Sequence, residues 1–125
     1  MWATLFLYVT AIAWAGYGIY CFLQPQILGS LAGLAATNVT GATELRAMYG
    51  GAQFGIGLMT LFGARELRLQ RPTLLGLACI YGGLGISRAI AALLGHDVSV
   101  YTLGAATFEI TSLLICVALL RRIER

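Results

Sequence analysis

The chain has no lysine, a single histidine, two prolines and few charges of either sign: charged residues make up 10% of its 125 positions. An average soluble domain carries about 25%. Hydrophobic residues account for 59%, and with the 16 glycines the apolar share reaches about 72%, against roughly 45–50% in that average. This composition excludes a disordered chain, a collagen-like repeat and an ordinary soluble enzyme. So short a chain buries only about 60–70% of its surface when it folds. It cannot hide this much apolar surface from water, so the surrounding solvent is lipid.

Cysteine pairing is also lacking. Cys21, Cys79 and Cys116 are odd in number, far apart and each inside an apolar run. The lack of a Cys-x-x-Cys argues against a membrane thiol–disulfide enzyme, and inert buried thiols are expected. The net charge of +3 comes from eight arginines against five acids. Six of the eight fall in Arg65–Arg71 and Arg121–Arg125, beside apolar runs, the pattern of cytoplasmic anchoring. It is not that of a nucleic-acid-binding stripe. No arginine precedes the first apolar run, which lasts to Phe22, so it reads as a retained transmembrane helix, not a cleaved signal peptide.

Four apolar runs are present: Trp2 to Leu23, closed by Gln24-Pro25; Leu45 to Gly63; Thr73 to Leu94, opened by Pro72 in its first turn; and Tyr101 to Leu120. Each has the roughly 20 residues that cross a hydrocarbon core of about 30 Å at 1.5 Å per residue. A membrane barrel needs eight or more alternating segments, so strands are excluded. The expected fold is all-α: one transmembrane domain over residues 1–125, an integral membrane four-helix bundle. The Arg65–Arg71 connection and the tail carry arginines, whereas Gln24–Thr43 and Gly95–Val100 carry none. That asymmetry places both termini in the cytoplasm. Ile27, Leu28, Leu31 and Leu34 form one stripe, predicting a short interfacial helix over about Gln26 to Ala35. Asn38-Val39-Thr40 is read as a chance glycosylation triplet.

Small residues supply packing faces. Gly51-x-x-x-Gly55 and Ala78-x-x-x-Gly82 strip side chains from one helical face, which lets backbones approach where lipid provides no hydrophobic drive. Tyr49-Gly50-Gly51 is echoed by Tyr81-Gly82-Gly83, too little for a repeat.

Two charges lie within spans, Arg88 in the third and Glu109 in the fourth. Each would cost about 2.5–3.5 kcal/mol facing lipid, so they should turn inward and find partners. Arg88 falls about 7 Å outside its span's midpoint and Glu109 near the midplane, within an arginine's reach between antiparallel neighbours. Arg46, Tyr49, Gly50, Gln53 and Gly57 share a face by α-helical counting, as do Tyr81, Leu84, Gly85, Arg88 and Ala92, and Thr102, Ala105, Ala106, Glu109, Ser112 and Cys116. Two readings follow. Glu44, Arg46, Tyr49, Gln53, Tyr81, Arg88 and Glu109 line a polar ligand pocket, or they form a buried ion-pair network that only fixes helix register. His96-Asp97 in the outer hairpin lacks the three or four ligands a metal needs, with only Glu44 placed to join it. No metal, cofactor or catalytic set is expected.

The run Glu44-Leu45-Arg46-Ala47-Met48-Tyr49-Gly50-Gly51-Ala52-Gln53-Phe54-Gly55-Ile56-Gly57-Leu58 resembles a bacterial family of small four-span membrane proteins, domain-of-unknown-function family 4345. In that family a Glu-x-Arg-x-x-Tyr-Gly-Gly stretch opens the second helix. Pro25, Arg88 and Glu109 match its Pro after the first helix, its third-helix Arg and its fourth-helix Glu. The resemblance covers nearly the whole chain and implies a four-helix bundle without supplying a reaction; the expected location is the bacterial inner membrane. The architecture is also similar, more loosely, to four-helix endoplasmic scaffolds that tether sterol-synthesis enzymes.

Three functions fit these features. The first is a non-enzymatic membrane protein that binds a lipid or amphiphile, or serves a membrane enzyme as accessory subunit. The second is a small homo-oligomeric transporter or channel using Glu109. The third is an intramembrane isomerase using Glu109 as acid or base. The expected partners are membrane lipid and a second copy or a membrane enzyme, with no nucleic acid.

Overall fold

The computed structural model describes residues 1–123, so Arg125, counted among the tail arginines, lies outside the described residues. Among those residues there is no strand. Helix α1 spans Trp2–Leu23, α2 Ile27–Ala32, α3 Val39–Leu45, α4 Ala52–Arg65, α5 Leu67–Gly95 and α6 Val100–Ile123. Between α3 and α4, Arg46–Gly51 forms a π-turn, so the helix runs unbroken from 39 to 65. Three helices, α1, α5 and α6, are individually long and apolar enough to cross a membrane. Large apolar side chains lie bare along them, among them Ile12 at 73% exposure, Leu93 at 76% and Leu94 at 79%. Apolar surface on that scale suits hydrocarbon and not water.

The chain divides into two compact units, Met1–Leu67 and the residues from Arg68 onward. In the first, α1 packs antiparallel against the π-turn and α4 through glycine. A Cβ on Gly18 would stand 2.5 Å from the Phe54 nitrogen, and one on Gly57 2.5 Å from the Ala15 nitrogen. Gly50 meets the Phe22 Cβ at 2.7 Å in the same way. These helices touch backbone to backbone, the contact small residues permit in lipid. The expected faces differ in part. Gly51 and Gly55 have nothing within 4 Å of where a Cβ would stand, so the close approach belongs to Gly18, Gly50 and Gly57.

The second unit is an antiparallel hairpin of α5 and α6. Ala78 is half-buried, and a Cβ on Gly82 would make ordinary 3.8 Å contact with Leu113. Tyr81 is buried and meets the edge of Phe108 with ring centroids 5.8 Å apart. The buried stripe of α6 is Glu109, Ser112, Cys116 and Leu119, one face at helical spacing. His96 takes a left-handed conformation (φ 52°) after α5, and the Asp97 N–H donates back to the Ala92 carbonyl at 3.0 Å. This is a Schellman stop with histidine where glycine is usual. Ser99 caps α6, its Oγ accepting from the Thr102 N–H at 3.2 Å.

Several boundaries differ from the sequence expectation. The second helix begins at Val39, six residues before Leu45, because the Asn38 side chain accepts the Gly41 N–H at 2.8 Å and caps it. The residues Asn38-Val39-Thr40 therefore start a helix. The interfacial helix covers only Ile27–Ala32, since Gly33 turns left-handed (φ 68°) and ends it. Of its stripe only Leu28 is buried. Pro72 lies inside α5, not in its first turn, so the third helix starts at Leu67 and the Arg65–Arg71 connection is helical except at Glu66. Proline this near an N-terminus removes one ladder bond, and the helix continues past it.

Hydroxyls within the helices fold onto their own ladder. Thr60 Oγ donates to the Ile56 carbonyl at 2.8 Å, Ser87 to Gly83 at 2.6 Å and Thr107 to Leu103 at 2.8 Å. Lipid offers no alternative acceptor, so four-back bonding is the available solution.

Candidate functional site

Arg88 and Glu109 meet in the second unit. The Arg88 Nε donates to Glu109 Oε2 at 2.9 Å and its Nη2 donates to Oε1 at 2.7 Å, a two-pronged ion pair. The Glu109 side chain is 7% exposed and that of Arg88 28%. A planar guanidinium matched to both carboxylate oxygens is the strongest arrangement open to such a pair. Gly85 makes room for it. A Cβ there would lie 3.3 Å from the Glu109 Cβ and 3.3 Å from Ile110 Cγ1, tighter than most real contacts. Tyr81, Gly85 and Arg88 follow one another at i, i+4 and i+7, so one face of α5 carries the ring, the gap and the cation.

The other expected site residues belong to the first unit. Glu44 is exposed; Arg46, Tyr49 and Gln53 are half-buried. Glu44 and Arg46 form no ion pair with one another, consistent with residues two apart on a helix pointing to different sides. The π-turn also alters the face read by α-helical counting. The Ala52 N–H bonds the Ala47 carbonyl, five residues back. One extra residue in the turn rotates the segments on its two sides by about 100° relative to each other. Arg46 and Gln53 are thus swung apart, and the face toward α1 runs Gly50, Phe54, Gly57.

Arg46 instead borders a groove of about 340 Å³. One wall is Pro25, Gln26 and Gly29, at the joint of α1 and α2. Leu34, Ala35 and Ala36, in the link to α3, form another side. Ala42, Leu45 and Arg46 close it. Apart from Gln26 and Arg46 its side chains are apolar. Among the described residues the Arg46 guanidinium has no ion-pair or hydrogen-bond partner. Nor do the Ala35 and Ala36 backbone groups make a hydrogen bond there. Sequence counting singled out Arg46 but missed the groove, because the link 33–38 and the early start of α3 build it. The Asn38 cap and Gly33 were its legible signals.

The chain matches the family described as "Domain of unknown function (DUF4345)" over residues 2–120. It belongs to that family. The match takes in both the ion pair and the groove, so both lie within the family's own span. No curated protein matches the chain, and no solved structure does.

The hairpin pair His96 and Asp97 has a structural role. Ser99 N–H donates to Asp97 Oδ1 at 2.9 Å and Thr102 Oγ donates to Oδ2 at 2.6 Å. These bonds, that from Thr102 first and then those from Ser99, hold the Asp97 carboxyl below its ordinary value of 3.8. Among the described residues no three of His, Cys, Asp and Glu are grouped to hold a metal ion.

Proposed function

We propose that this chain is a four-span protein of the bacterial inner membrane, with both termini cytoplasmic, that binds a lipid or other amphiphile. The helical run 39–65 is the second of the four spans in this reading, its length divided by the π-turn. The observation that carries the binding role is the groove beside α2: apolar walls, an opening to the surroundings and one cation at its edge. Ligand sites are concave, mostly apolar and carry few polar groups, and their volumes run from about 300 to 1,000 Å³. π-turns, in addition, recur at functional sites.

The pairing of Glu109 with Arg88 weighs against transport or proton transfer through Glu109. Both carboxylate oxygens are engaged by one guanidinium, so a moving ion would have to displace it. The accessory-subunit role is compatible with the bare apolar faces but draws no support from a particular residue.

The test is purification of the full chain in mild detergent, solvent extraction and mass spectrometry of what remains bound. The wild type should retain an amphiphile in fixed ratio to protein. Ala42→Phe, which fills the groove, should abolish retention with the helical content unchanged. Equal retention by both proteins would remove the groove from consideration.

A further inference from the structure

The groove's donors define a ligand chemistry. Arg46 is half-buried, charged and without a partner among the described residues, whereas Arg88, the arginine inside a span, is matched by Glu109. A guanidinium beside hydrocarbon is costly unless an anion completes it. Across the groove, the backbone of Ala35 and Ala36 also lacks hydrogen-bond partners. Both residues are exposed, so these main-chain groups are open to water or to a polar ligand group. The groove therefore brings together, from two different segments, one cation and main-chain groups that make no internal hydrogen bond.

We infer that the groove seats the phosphate head group of an anionic glycerophospholipid on Arg46, with the acyl chains lying outside it. This rests on the amphiphile-binding reading above and specifies its ligand. A phosphate presents oxygens in several directions and can take the guanidinium fork on one side and main-chain N–H groups on another. Size places the chains outside. At about 340 Å³ the groove is at the small end of ligand sites, enough for a head group and its first carbons but not for a whole lipid. The same unit offers bare apolar side chains for the remainder, with Val39 at 84% exposure and Met48 at 60%. Glu44 does not line the groove, so no carboxylate opposes an anion there.

The experiment uses delipidated full-length protein in a neutral detergent. Phosphatidylglycerol and a diacylglycerol with identical acyl chains are added at equal mole fraction, and retention is read by native mass spectrometry. Wild type should favour phosphatidylglycerol by about tenfold or more, the range expected for charge-assisted hydrogen bonds. Arg46→Gln should bring the ratio near unity, and Arg46→Lys should keep most of it. Unchanged thermal unfolding of both variants separates lost binding from lost fold. Millimolar inorganic phosphate should leave the bound lipid in place. Displacement by phosphate alone overturns the lipid assignment in favour of a free-anion site. A preference that survives Arg46→Gln overturns the role of Arg46. If wild type holds both lipids equally and Ala42→Phe releases both, the head-group inference fails while amphiphile binding stands. If Ala42→Phe changes nothing, both fail.

Discussion

Removing either half of the Arg88–Glu109 pair should destabilise the hairpin far more than removing both. Arg88→Met leaves a carboxylate that is 7% exposed facing α5 without its two donors at 2.7 and 2.9 Å. Breaking a buried pair from one side costs about 3–5 kcal/mol in proteins generally. Arg88 retains 28% exposure, so its loss belongs at or below the bottom of that range, about 2–3 kcal/mol. Interhelical bonds measured in membranes are weaker still, about 0.6 kcal/mol on average and up to about 1.7, because the unfolded state in lipid also finds partners. Arg88→Met with Glu109→Leu replaces both ions by apolar groups of similar length and should return to within about 1 kcal/mol of wild type. The assay is a double-mutant cycle by reversible unfolding in mixed micelles. A coupling energy above about 1 kcal/mol is expected, and single-mutant losses that add within about 0.5 kcal/mol would refute an energetically coupled pair.

Gly18→Ala and Gly57→Ala each force a methyl group onto backbone atoms at 2.5 Å and should lower stability by about 1–3 kcal/mol in the same assay. Gly51→Ala and Gly55→Ala meet open space and should be neutral or stabilising by up to about 1 kcal/mol; losses equal to those at Gly18 would contradict the packing described. Asn38→Ala removes the cap of the 39–65 helix and should cost about 0.5–2 kcal/mol, seen as faster amide exchange at Gly41. Asp97 has a lowered folded pKa, so its contribution is complete above its ordinary value of 3.8 and is lost as pH falls through the lowered one. Exchange at the Ser99 and Thr102 amides should be constant relative to neighbouring amides from neutral pH down to that range and rise below it. Asp97→Asn should flatten the profile.

Helix content and the meeting of Arg88 with Glu109 were legible because each follows from a strong local signal: an apolar run, or a charge that lipid does not tolerate. Boundaries were harder. Pro72 reads as a helix start, yet α5 begins five residues earlier, since a proline one and a half turns in removes only one bond. Asn38 reads as the start of a triplet, yet it is also a favoured helix cap, and in the structure it accepts the Gly41 N–H. The spacing Gly51-x-x-x-Gly55 identifies a smooth face but not what that face meets. Ala15, Gly18 and Phe22 on α1 select Gly50 and Gly57 instead. The π-turn has no composition of its own, so counting in steps of 3.6 residues carried Arg46 onto the face of Gln53. Of the candidate site, the charged residues were therefore identified individually, while the groove depended on two loop geometries and an irregular turn.

The wide turn at Arg46–Gly51 makes the long helix an indexed joint. Its C-terminal half is clamped on α1 by glycine, while its N-terminal half is free to be re-phased by a change of one residue in length. Deleting Met48 would close the turn into regular α-helix, leave the glycine clamp seated and present a different side chain to α2. Single-residue length differences at this point therefore offer a way to exchange the group at the groove's edge without rebuilding the pair of helices that supports it.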